Sequence, residues 1–211
     1  MQAQQTFKFD GEMVAGVAYD GANVWASLMT KERGALARIN RRTGAVERRV
    51  ETPKIFGLAW DGSHLWGVAD VGLLRLDPET LAVVKTLPRP AVEGFISGLA
   101  WDGEALWAGA YQQKKILKID PETGAILREV ASDRFVTGVT WANGDLWHAV
   151  DDEENPRRPT EMRHLDVETG AVLAGIEVPF PISGLGHDGE MFWCGDCSGG
   201  NIRTVSDGGG H

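Results

Sequence analysis

The sequence predicts an all-β fold, a closed five-bladed β-propeller in which an N-terminal strand completes the last blade. Three observations carry this reading. One twelve-residue pattern recurs five times along the chain. All eight tryptophans fall into two columns of that pattern. The two chain ends are complementary, one lacking a strand that the other supplies.

The five copies are VAGVAYDGANVW (14–25), IFGLAWDGSHLW (55–66), ISGLAWDGEALW (96–107), VTGVTWANGDLW (136–147) and ISGLGHDGEMFW (182–193). Their glycines, Gly16, Gly57, Gly98, Gly138 and Gly184, are spaced by 41, 41, 40 and 46 residues. Trp25, Trp66, Trp107, Trp147 and Trp193 end each copy. A second column holds Tyr19, Trp60, Trp101, Trp141 and His187. A period near 40 residues with several short strands per unit is the pattern of a propeller blade.

Within a unit the elements follow in order. An apolar, β-branched first strand such as Ile96 to Trp101 runs into Asp102-Gly103, a hairpin signal. A second strand covers Leu106 to Tyr111, and a third Ile116 to Asp120. The run Asp120-Pro121-Glu122-Thr123-Gly124 places Pro for a type I turn and Gly for a left-handed exit. Its counterparts are Arg41–Gly44, Asp77–Leu81 and Asp166–Gly170. A fourth strand spans Ala125 to Val130. The units then divide a single domain, 1–211, into blades at about 14–53, 54–93, 94–133, 134–179 and 180–207 plus 5–10. The last unit has a third strand, Asn201 to Val205, followed only by Asp207-Gly208-Gly209-Gly210-His211. Thr6-Phe7-Lys8-Phe9 stands in the register of the missing fourth strand, and joining the two removes exposed sheet edges.

Composition excludes several classes. The 211 residues are 43% hydrophobic and 24% charged, as in a globular protein. Two cysteines cannot form a disulfide framework. The 30 acidic against 21 basic residues give a net charge of −9, which argues against nucleic acid and anionic membranes as partners. The N-terminal MQAQQTFKFDGEM does not read as a signal peptide, and no apolar run is long enough for a membrane helix. The expectation is a cytoplasmic monomer that binds a small molecule.

Loops entering each first strand and loops joining second to third strands surround one mouth of the central channel, where such folds often hold ligands. These loops offer Glu12 and Glu93 as acid–base groups. Arg134 is offered for an anion, and Phe56, Phe95, Tyr111, Phe135, Phe180 and Asp70 as further binding residues. Departures from the repeat mark other candidates. Both cysteines lie in Cys194-Gly195-Asp196-Cys197, and His148 stands where other blades have Ala26, Gly67, Ala108 and Cys194. His148, Asp151, Cys194, Asp196 and Cys197 are the residue types of a divalent-metal or thiol site. Two unreactive thiols and a hydrogen-bonded, channel-lining histidine are the alternative. The fourth unit has an extended loop, Asp151-Asp152-Glu153-Glu154-Asn155-Pro156-Arg157-Arg158-Pro159, with the charges of a lid, a cation-binding rim or a solvated turn. The chain has no P-loop, HExxH, nucleophile elbow or dinucleotide fingerprint.

The motifs Phe95-Ile96-Ser97-Gly98-Leu99, Trp101-Asp102-Gly103, Leu106-Trp107 and Ile119-Asp120-Pro121-Glu122-Thr123-Gly124 resemble those of bacterial propellers. That group includes glutamine cyclotransferases, YVTN-type repeat proteins and virginiamycin B lyase-like proteins. Resemblance to the cyclotransferases implies five blades, a substrate at the channel mouth and a catalytic glutamate. That family often has Gln or Glu just before the entry glycine; here Ala15, Phe56, Ser97, Thr137 and Ser183 stand there, with Glu12 and Glu93 nearby. The lyases imply seven blades and a histidine with magnesium, and they match this chain in repeat style alone. Three functions follow as alternatives: a channel-mouth enzyme or binder, a non-catalytic scaffold, and a metal- or thiol-dependent protein.

Overall fold

A computed structural model describes residues 6–155 and 157–206. Residue 5 of the expected closing strand, Pro156 of the long loop and the tail 207–211 lie outside the described residues. Twenty strands form five four-stranded sheets, and the described residues contain no helix. Among the described residues no helix is therefore long and apolar enough to cross a membrane.

Four sheets are built from consecutive strands. The fifth joins Thr6–Lys8 to Asn201–Ser206, with Phe7 opposite Ile202, so the ring closes three strands to one. Phe7 stacks on Trp193 at 5.9 Å and buries that seam. The inner strands are Met13–Tyr19, Ile55–Trp60, Ile96–Trp101, Phe135–Ala142 and Gly184–His187. They stand shoulder to shoulder because the glycine column leaves no side chain between them. A Cβ on Gly57 would lie 2.8 Å from the Cα of Gly98, closer than real Cβ atoms come. In four inner strands the register shifts by a bulge beside this glycine, turning the strand at the ring's narrowest level.

Between blades the core is apolar. Trp25, Trp66, Trp107 and Trp193 are at most 3% exposed, while Trp147 is half-buried. The aspartate of each Asp-Gly pair has a task that a two-residue turn would not give it. Its carboxylate accepts two backbone N–H bonds within the turn and the indole N–H five residues on. Trp25, Trp66, Trp107 and Trp193 donate to Asp20, Asp61, Asp102 and Asp188 at 2.8–2.9 Å. Only the glycine of these pairs takes positive φ. A two-residue turn with both residues at positive φ occurs in blade four, at Asn143-Gly144. Having no aspartate there, Trp147 stacks instead on His164 at 5.3 Å, and His164 sits 3.3 Å from Asp145.

A second recurring contact ties blade to blade. Arg48, Lys85 and Arg128 on outer strands donate to the carbonyls of Pro78, Pro121 and Val167 in the next blade's turn. The matching position in blade four is Ala174, so the junction with blade five lacks this link.

Candidate functional site at the channel mouth

Two cavities lie on the ring axis, each lined by all five blades, on either side of the glycine level. The lower one, about 70 Å³, is bordered by Tyr19, Trp60, Trp101, Trp141 and His187. The upper one is about 280 Å³. Its floor is the residue before each ring glycine: Ala15, Phe56, Ser97, Thr137 and Ser183. Its wall is Met29, Phe95, Tyr111, Ile182 and Cys197. None of these ten described residues is a carboxylate.

Loop geometry sets the wall. Phe56 and Phe95 precede or enter inner strands of neighbouring blades, and Tyr111 follows the second strand of blade three. Their rings form a ladder: Phe56 to Phe95 at 6.5 Å, Phe95 to Tyr111 at 4.7 Å, Tyr111 to Phe135 at 5.0 Å. Gln112 Oε1 accepts the backbone N–H of Phe95 and fixes the start of that strand (2.9 Å). Phe95 remains 37% exposed, its open side turned to the cavity it lines.

Two of the three floor hydroxyls are committed to backbone carbonyls, while Thr137 Oγ1 is buried with no hydrogen-bond partner. Ser97 Oγ donates to Val136 O at 2.5 Å and Ser183 Oγ to Val14 O at 2.5 Å, each reaching into the next blade. Burial pushes the Cys197 thiol up, so it stays protonated at neutral pH, and it points to Val14 O (3.5 Å).

Several expected residues lie elsewhere. Glu12 is not in the cavity; Arg49 grips its carboxylate with two bonds of 2.6 and 2.7 Å beside blade one. Glu93 is exposed and outside the lining. Asp70 tips the exposed hairpin between Ala69 and Gly72. Phe180 lies under the Arg203 guanidinium at 4.7 Å. Arg134 does not face the mouth. It is 2% exposed, donates to Pro159 O at 2.6 Å and pairs with Glu161 at 3.2 Å, pinning the long loop.

The His148 cluster is also corrected. Strand alternation sends His148 toward blade three, where its Nε2 is 3.4 Å from Ser132 Oγ; it does not line the channel. Cys194 faces blade four, its Sγ 3.8 Å from Met162 Sδ, and full burial drives its thiol pKa upward. The two residues are therefore separated by the thickness of the fourth sheet. Asp196 is taken by Arg203 (2.8 Å), Ser198 and Gly199, and Asp151 accepts the N–H of Asp152. Among the described residues no group of three His, Cys, Asp or Glu is arranged to hold a metal. The structure thus brings together Phe56, Phe95, Tyr111 and Cys197, with Phe135 behind them. Met29 ends the second strand of blade one, at the start of a joining loop expected at the mouth; the five-residue floor as a set is what sequence reasoning missed, although its positions share the spacing of the repeat.

No family model matches the sequence, and no curated protein is significantly similar to it. Solved structures are similar in fold. Glutaminyl cyclase from Myxococcus xanthus aligns over 97% of this chain and 94% of its own, with a TM-score of 0.71 and 14% identity. A chain of a mitotic checkpoint complex aligns over 92% of this chain and 63% of its own, TM-score 0.56, 16% identity. Hydrazine synthase from Kuenenia stuttgartiensis aligns over 92% and 58%, TM-score 0.56, 16% identity. At these identities the likeness is one of fold, the five-bladed β-propeller.

Proposed function

We propose that this protein binds a small, largely apolar molecule at the upper channel mouth. The observation that carries the reading is the cavity of about 280 Å³ walled by the ladder Phe56–Phe95–Tyr111. It lies at the small end of the range for ligand pockets, and fits one ring or a short branched chain. Ligand burial there covers the exposed Phe95 face and is driven by apolar area removed from water.

The fold likeness to a glutaminyl cyclase supports a second reading, cyclotransfer at the same mouth. That chemistry needs a proton acceptor at the reacting atoms. Glu12 is committed to Arg49, and Glu93 stands outside the lining, so binding is the reading the geometry favours. A thermal-shift screen of single-ring metabolites and glutaminyl dipeptides separates the two. Binding predicts hits in the wild type that vanish in Phe95→Ala, with no ring-closed product from the dipeptides. Enzyme-dependent formation of the ring-closed lactam with one equivalent of ammonia from a glutaminyl dipeptide establishes the enzyme instead.

A further inference from the structure

Resting on that binding reading, we infer that the ligand carries a protonated amine, seated where the aromatic ladder meets the blade-four loop. The lip there has an unbalanced negative charge. Tyr111, in the cavity wall, donates its hydroxyl to Glu153, a neutral partner that leaves the carboxylate charge uncompensated. Asp151 adds its field at the same phenol. Neither Glu153 nor Asp151 forms an ion pair among the described residues. Lys114 is matched to Glu154 at 3.7 Å and Arg158 to Asp152 at 3.4 Å, while the exposed Arg157 of the same loop pairs with neither Glu153 nor Asp151 among the described residues.

The molecule already uses this chemistry on the outer end of the ladder. Lys114 Nζ stands 4.6 Å over the Phe135 ring while pairing with Glu154. One ring face plus one carboxylate thus holds an ammonium there. The Tyr111 ring is itself stacked between Phe95 and Phe135, so the ammonium meets the Glu153 carboxylate at the Tyr111 hydroxyl, where no cation among the described residues pairs with it. A charge-assisted hydrogen bond from an ammonium to this carboxylate is stronger than the neutral one an alcohol would donate. The apolar body lies along Phe95 and Phe56, and the ammonium faces outward to Glu153.

Calorimetric titration with three probes of one shape tests this: 2-phenylethylamine, 2-phenylethanol and 3-phenylpropionate at neutral pH and low salt. The amine binds about tenfold more tightly than the alcohol, the size of one such contact, and the carboxylate binds more weakly than the alcohol. In a Glu153→Gln/Asp151→Asn variant, which keeps an acceptor for Tyr111, the amine loses its advantage while the alcohol keeps its affinity. An alcohol that binds the wild type as tightly as the amine overturns the inference and leaves the cavity reading standing. An amine preference that survives the double variant overturns it as well. Absence of binding by all three probes overturns both.

Discussion

Gly184 and Gly16 meet backbone to backbone at the seam of the ring: a Cβ on Gly184 would stand 2.8 Å from the Cα of Gly16. The last blade therefore presses on the first within the range seen between consecutive blades, 2.6–3.1 Å. The same approach recurs at Gly57 against Gly98, and both depend on the missing side chain.

Gly57→Ala and Gly184→Ala are expected to destabilise the protein by about 1–3 kcal/mol each, because backbone, not a flexible side chain, must move. Gly138→Ala costs less, since its Cβ would stand 3.1 Å from Leu185 Cβ and 3.2 Å from Leu185 N, farther than the 2.8 Å contacts at Gly57 and Gly184. Urea unfolding midpoints check the order. Equal midpoints for Gly57→Ala and Gly138→Ala contradict it.

Asp102 holds one turn and one indole at once. Asp102→Ala strips acceptors from Glu104 N–H, Ala105 N–H and Trp107 Nε1, and removes the partner of Lys118 at 3.0 Å. The expected loss is about 2–3 kcal/mol, the cost of leaving buried donors unpaired. Asp102→Asn, which keeps the carbonyl acceptor, recovers part of it.

Arg128 links blade three to the turn of blade four through Val167 O at 2.9 Å and pairs with Glu168 at 2.6 Å. Arg128→Ala is expected to cost about 1 kcal/mol, since both groups are partly exposed. Hydrogen exchange checks where the loss falls. It predicts faster exchange in the outer strands of blades three and four, and unchanged exchange in the seam blade.

His148 makes stability depend on pH. Burial, with Arg163 nearby, holds its pKa down at about 3 against 6.5 for a free histidine. The unfolded chain therefore binds the proton first as pH falls below about 6.5. Stability is full above that value and declines down through the window toward the folded pKa. At about pH 5 the loss is about 2 kcal/mol. His148→Gln is expected to flatten the slope between about pH 7 and 5 in denaturant titrations. An unchanged slope assigns the dependence to another group.

The ring was legible in the sequence because every blade repeats the same packing problem. Gly16, Gly57, Gly98, Gly138 and Gly184 are fixed by backbone contact, and the tryptophan column by burial, so both show as periodicity. Strand pairing at the seam was legible from Thr6–Phe9 because Phe7 fills the place of an outer-strand residue. The mouth was legible in part, since Phe56, Phe95 and Tyr111 sit in loops whose position follows from blade order. What a side chain does within a loop was not. Glu12 and Arg134 are drawn aside by Arg49 and Glu161, partners distant in sequence. His148 and Cys194 face different blades because each lies on its own side of a sheet, a relation that spacing alone does not show.

In the proposed binding mode the upper mouth, and not the lower aromatic ring, receives the ligand. Diffraction from crystals soaked with 2-(4-bromophenyl)ethylamine tests it most directly. The expected result is a bromine anomalous peak on the ring axis between Phe56 and Phe95, with the amine toward Glu153. A peak among Tyr19, Trp60, Trp101 and Trp141, or no peak on the axis, contradicts it.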